Sequence, residues 1–120
     1  MEPGIPKIEV NHHDGVVQVE FLVEEILEEA VIADITDTVL QLVEDNPGLN
    51  LLISFKNVVH FSSSALGMLI RIHKRIEEVN GKLRLCNIVP SLYEIFMITK
   101  LNKLFMIFEK QDQAVKSFER

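Results

Sequence analysis

The segment Leu49-Asn50-Leu51-Leu52-Ile53-Ser54-Phe55 constrains the fold more than any other part of this chain. Successive side chains of a β-strand point to opposite faces of the sheet, so a strand with one wet face alternates apolar and polar residues. This segment is apolar on nearly both faces. Such a pattern belongs to a central strand of a parallel sheet covered by helices. The rest of the chain must then supply neighbouring strands and amphipathic helices.

Those elements are legible on both sides of it. Ile8 to His12 and Val16 to Leu22 alternate as strands, and His13-Asp14-Gly15 between them carries the Asp-Gly signal of a tight hairpin. From Glu28 to Glu44, the apolar residues Val31, Ile35, Val39, Leu42 and Val43 recur at helical spacing until Asn46-Pro47-Gly48 ends the pattern. A second helix from Ala65 to Asn80 buries Leu66, Leu69, Ile72, Ile76 and Val79, exposes Arg71, Lys74, Arg75 and Glu78, and places Gly81 at C′. Lys82 to Cys86 is the next strand. Pro90 suits the first turn of a third helix carrying Leu92, Ile95, Phe96 and Ile98; Leu104 to Phe108 then makes a last strand, and Asp112 caps a short terminal helix. An opening hairpin followed by alternating helices and strands predicts an α/β fold, a mixed β-sheet with one antiparallel edge and covering helices. Val10, Val19, Leu51, Ile53, Leu69, Ile76, Leu85 and Phe105 are its predicted core.

Length and charge narrow the function. The 120 residues suit one domain, with residues 1–6 expected as a flexible N-terminal segment. Hydrophobic residues make up 48% of the chain, but charges interrupt every long apolar stretch, so no membrane insertion is expected. Met1 to Lys7 has neither the basic flank nor the apolar stretch of a secretory signal, which predicts a cytoplasmic protein. Cys86, the only cysteine, falls in a strand pattern and reads as an inert core residue. A net charge of −6 without a run of Lys and Arg argues against direct nucleic-acid binding and favours a protein partner.

The chemistry concentrates where the central strand hands over to the second helix. Val58-Val59-His60-Phe61-Ser62-Ser63-Ser64-Ala65-Leu66-Gly67-Met68 carries three consecutive hydroxyls into a helix start, at the carboxyl end of a strand where open α/β sheets place their sites. Backbone N–H groups at a helix start lack intrahelical partners and carry partial positive charge, so a phosphate on one of these serines is partly neutralised where it sits. The same hydroxyls also suit helix capping, and spacing alone allows both roles. His12 and His13 beside Asp14 read as a solvated hairpin rather than a metal site, because neighbouring strand residues face opposite ways. An enzyme with Ser63 as nucleophile and His60 or His73 as base lacks a Gly-x-Ser-x-Gly elbow and an evident carboxylate to orient either histidine. A non-enzymatic role is the better expectation.

Over nearly its whole length the chain resembles the STAS domain family, and more narrowly its single-domain anti-sigma-factor antagonists. In that family a strand runs into Asp-Ser-Ser/Thr-Gly-Leu-Gly at a helix start, and the matching run here is Ser62-Ser63-Ser64-Ala65-Leu66-Gly67. Asn80 to Ile88 and Ile98 to Phe108 resemble later family segments. The resemblance implies that Ser63 is the phosphoacceptor and that Phe61, Ser62, Ser64, Ala65, Leu66 and Met68 contribute to partner contact. Ser62 replaces the family's usual Asp, and Ala65 its usual Gly. The stretch Glu24 to Glu29 lacks the Leu-Asp pattern common after the second strand, in a loop the family also uses for contact.

The implied mechanism is a binding switch. The unmodified domain sequesters an anti-sigma factor, typically a serine kinase of the histidine-kinase-like ATPase type, and thereby frees a sigma factor; phosphorylation ends the association and a serine phosphatase restores it. No cofactor belongs to the domain itself, since ATP is the kinase's. The alternative within the family is a scaffold or lipid-transport accessory protein acting through constant protein contacts without phosphorylation.

Overall fold

The structure, a computed structural model, describes residues 6–119. The expected flexible segment therefore lies outside the described residues, apart from Pro6. In chain order the elements are β1 (Ile8–His13), β2 (Val16–Phe21), β3 (Glu25–Ile26), α1 (Glu29–Asp45), β4 (Asn50–Ser54), β5 (His60–Phe61), α2 (Ser63–Glu78), β6 (Lys82–Cys86), α3 (Pro90–Ile98), β7 (Met106–Phe108) and α4 (Gln111–Lys116). A 3₁₀ turn at Leu101–Lys103 precedes β7.

The main sheet has the order β1-β2-β4-β6-β7. Strand β1 is antiparallel to β2, and every other pairing is parallel. The strand that sequence placed at the centre is there: Ile53 of β4 aligns with Val19 of β2 on one side and with Leu85 of β6 on the other. Leu51 and Ile53 enter the main core with residues of α1, α2 and α3, while Leu52 enters a smaller cluster on the opposite face with Val16, Cys86, Ala114 and Phe118 of the C-terminal segment. Both sets are fully buried, which is why this strand does not alternate.

The hairpin turns through Asp14 and Gly15, with φ of 52° and 76°, the left-handed pair that an Asp-Gly turn supplies. Of the predicted core, Val19, Leu51, Ile53, Leu69, Ile76, Leu85 and Phe105 are buried together, and Val10 packs against them partly buried on the edge strand. Five phenylalanines tie that core together. Phe55 meets Phe21, Phe61 and Phe96 at ring separations of 5.1, 5.5 and 6.3 Å, and Phe96 meets Phe105 at 6.2 Å. These are near edge-to-face arrangements, which aromatic quadrupoles favour.

Helix α2 does begin within the serine run, at Ser63, but several other local expectations are corrected. At its other end Asn80, not Gly81, takes the left-handed C′ conformation, with φ 61°. Asn80 N–H donates to Glu77 O at 3.0 Å and Gly81 N–H to Ile76 O at 2.9 Å, the paired bonds of a Schellman end. Gly81 answers a different need: a Cβ there would stand 2.7 Å from Leu49 O. Asp112 lies inside the first turn of α4, and the N-cap is Lys110, whose N–H donates to Gln113 Oε1 at 3.2 Å. Leu104 precedes the last strand and is exposed, as are Ile95 and Ile98 on α3. Helix α4 packs Ala114 into the smaller cluster and is also tied by a polar relay, in which His13 Nε2 meets Gln18 Oε1 at 2.9 Å and Gln18 Nε2 donates to Gln111 Oε1 at 3.0 Å.

Candidate functional site

The handover from β4 to α2 is built from the core outward. Phe61 is 8% exposed and inserts its ring among Phe21 and Phe55, anchoring the chain just before the serines. Strand β5 also pairs in parallel with β3, aligning Glu25 with His60 and Ile26 with Phe61. Glu24 O accepts from Val59 N–H and His60 N–H at 2.8 and 3.1 Å, and Ile26 O accepts from Ser62 N–H at 3.1 Å. This second sheet, absent from the sequence reading, clamps the serine run to the segment before α1.

The three hydroxyls then take different positions. Ser62 is the N-cap, with extended backbone, and its Oγ accepts from Ala65 N–H at 3.1 Å. A serine is among the residues that best cap a helix start, and this one does so without a negative charge. Ser63 is the first helical residue and is exposed; Ser64 follows it, also exposed. The amides of this first turn belong to those a helix leaves without intrahelical partners.

The other residues expected to contact a partner are mostly buried. Ala65 has no exposed surface, and Leu66 and Met68 expose 8% and 4%. Their work is to seat α2 on the sheet, so the apolar surface available beside Ser63 comes from residues the sequence reading did not single out. Leu27, Val59 and Ile95 are 45%, 46% and 36% exposed and, with His60, Phe61 and Leu92, line a shallow groove on one side of the serines. A second groove runs on the other side between α1 and α2, where Ser64, Gly67 and Arg71 face Glu29, Ala33 and Asp37. At its far end Arg75 bridges the helices, its Nη2 donating to Glu44 Oε1 at 2.9 Å and its Nη1 to Glu78 Oε1 at 2.8 Å. The hydrogen bond from Arg75 holds the Glu44 carboxyl below the usual carboxylate range, and the same bonds raise the guanidinium.

Of the two candidate bases, His73 stands away from Ser63. His73 lies ten residues along α2 from Ser63, roughly 15 Å by helical rise. Its ring packs edge-on against Phe105 at 5.5 Å, and its Nε2 lies 3.5 Å from Glu77. His60 sits exposed on β5. Among the described residues no cluster of three or more His, Cys, Asp or Glu is placed to hold a metal ion. Among the described residues no helix is long and apolar enough to cross a membrane.

The sequence profile of the STAS domain matches residues 7–114. The chain belongs to the STAS domain family. An anti-sigma F factor antagonist from Paenibacillus polymyxa is 23% identical over 113 residues, covering 94% of this chain and 95% of that protein. A STAS-domain anti-sigma-factor antagonist from Planctomyces limnophilus superposes with a TM-score of 0.85 at 25% identity, covering 94% of this chain and 98% of its own. The phosphorylated form of the Bacillus cell fate determinant SpoIIAA superposes at 0.71 with 16% identity, covering 94% and 99% of the two chains. The mixed sheet and four helices are thus those of a STAS domain throughout.

Proposed function

We propose that this STAS domain is an anti-sigma-factor antagonist whose association with a serine-kinase anti-sigma factor is controlled by phosphorylation of Ser63, and that it acts by binding rather than catalysis. The observation that carries the reading is the division of labour among the serines. Ser62 is committed as the cap and Ser63 stands exposed at the first helical position, on a rim fixed by the pairing of β3 with β5. A kinase reaches that hydroxyl without unfolding anything.

Unmodified Ser63 sits between two grooves, one bordered by exposed apolar side chains, and the kinase packs across both. A phosphoserine adds a charge of about −1.5 to −2 and three strongly hydrated oxygens. Glu24, Glu25, Glu28 and Glu29 are exposed on the neighbouring segment, so the phosphate deepens an already negative rim while the helix start partly neutralises it. The domain keeps its fold and loses its partner. ATP belongs to the kinase, a phosphatase restores the free hydroxyl, and the exchange takes place in the cytoplasm.

The test combines the chain with a serine-kinase anti-sigma factor of the same organism. Mass spectrometry after incubation with ATP is expected to find phosphate on Ser63. Ser63→Ala is expected to fold, resist phosphorylation and stay bound, and Ser63→Asp to fold and bind weakly. Phosphate confined to Ser62 or Ser64, or a folded Ser63→Asp that binds like the parent, sinks the assignment. No phosphate on any serine, with binding intact, favours the constant-contact scaffold.

A further inference from the structure

We infer that the groove between α1 and α2 receives a main-chain segment of the kinase carrying a basic side chain, and that Gly67 is the residue that admits it. The inference rests on the reading of the Ser63 edge as the kinase-binding surface, and it extends that surface along α2.

Gly67 lies inside α2 and is exposed. Glycine in a helix interior is less stable than alanine, because it loses more backbone freedom on folding and adds no contact. A glycine in such a place normally answers to something that comes close. Here a Cβ built on Gly67 meets nothing within 4 Å, whereas one built on Gly81 meets Leu49 O at 2.7 Å. Gly81 is therefore accounted for within the chain and Gly67 is not. The body that needs the space is outside it.

The groove also indicates what that body carries. Ser64, Gly67 and Arg71 follow one another at spacings of three and four on one face of α2, so the open position lies directly between the serine edge and the guanidinium. Opposite them on α1 stand Glu29, Asp37 and the small side chain of Ala33. Among the described residues neither carboxylate nor Arg71 forms an ion pair within 4.0 Å. Two carboxylates against one guanidinium leave the groove negative, which suits Lys or Arg from the incoming chain. With no side chain at position 67, a partner backbone approaches α2 closely enough for that cation to reach the α1 wall.

The experiment measures, for the parent and variants, thermal unfolding, sedimentation of the isolated protein and affinity of its unphosphorylated form for the same serine-kinase anti-sigma factor. Gly67→Ala is expected to raise Tm and weaken kinase binding about tenfold, with Gly67→Leu weaker still. Asp37→Asn is expected to reduce affinity several-fold and flatten its salt dependence. Thr38→Leu, which adds bulk on the exposed face of α1 outside the groove, should bind like the parent. If the parent binds and folded Gly67→Leu binds equally well, this inference is wrong while the Ser63 reading stands. A parent that does not bind the kinase overturns both. A parent that self-associates, with Gly67→Leu monomeric, assigns the groove to a second copy of the chain and likewise overturns it.

Discussion

Ser62 Oγ accepts the Ala65 N–H at 3.1 Å, so the first of three adjacent serines is spent on ending a loop and starting a helix. Its neighbour is left free to face outward. Removing the cap by Ser62→Ala should cost about 1 kcal/mol, since one donor of the first turn is orphaned. Ser62→Asp should retain stability, because the carboxylate caps equally well and interacts favourably with the helix start. Urea unfolding of both variants checks the pair, and equal losses in the two would show that the cap is not what position 62 provides.

The main core should be intolerant of truncation. Ile53 and Leu69 have no exposed surface, and Ile53 sits on the central strand between Val19 and Leu85. Replacing either by Ala should destabilise the protein by about 2–5 kcal/mol through lost transfer energy and the cavity left behind. Equilibrium denaturation with an unchanged m value reads the loss directly.

Asn80 and Gly81, just past the C-cap of α2, should respond in opposite ways to small changes. Gly81→Ala forces a methyl to within 2.7 Å of Leu49 O and 3.0 Å of an Ile76 side-chain carbon, so the turn must shift. A loss on the order of 1–3 kcal/mol is expected, as for overpacking elsewhere. Asn80→Gly relieves a left-handed φ of 61° and should be close to neutral or stabilising. A thermal melt in which Gly81→Ala is harmless would contradict the close approach.

Cys86 should give the protein an alkaline limit. Burial, with a smaller contribution from the Glu20 charge, pushes its thiol from 9.0 up to about 11, against a lowering hydrogen bond with Ser54. A thiol raised by folding keeps its proton longer in the native state than in the unfolded chain. Its stabilising contribution is whole below 9.0 and is lost progressively as pH rises toward about 11. The loss is of order 2–3 kcal/mol. Denaturation midpoints followed across that window should fall in the parent and fall less in Cys86→Ala. Thiol titration near pH 8 should be slow until the protein unfolds.

The legibility of the fold tracks the range of the interactions involved. The opening hairpin, the central strand, α1 and α2 were visible because periodicity and an Asp-Gly turn are written in consecutive residues. The serine run stood out for the same reason. Strands β3 and β5 were not visible, because two residues each, Glu25–Ile26 and His60–Phe61, carry no period and exist only through each other. The candidate site divided along the same line. Sequence located the exposed Ser63, but the family resemblance assigned Ala65, Leu66 and Met68 to partner contact, where they are buried, and not Leu27, Val59 and Ile95, which are exposed.

Sequence by itself therefore determined the α/β alternation, the central position of β4 and the helix start at the serines, all of which follow from local pattern and hydrogen-bonding demand. Only the tertiary structure decided which apolar side chains remained outside, how α4 was tied down through His13, Gln18 and Gln111, and why Gly81 had no room for a methyl while Gly67 did. The physical reason is that burial and clearance belong to pairs of residues far apart along the chain, and nothing in one partner's neighbourhood specifies where the other will stand.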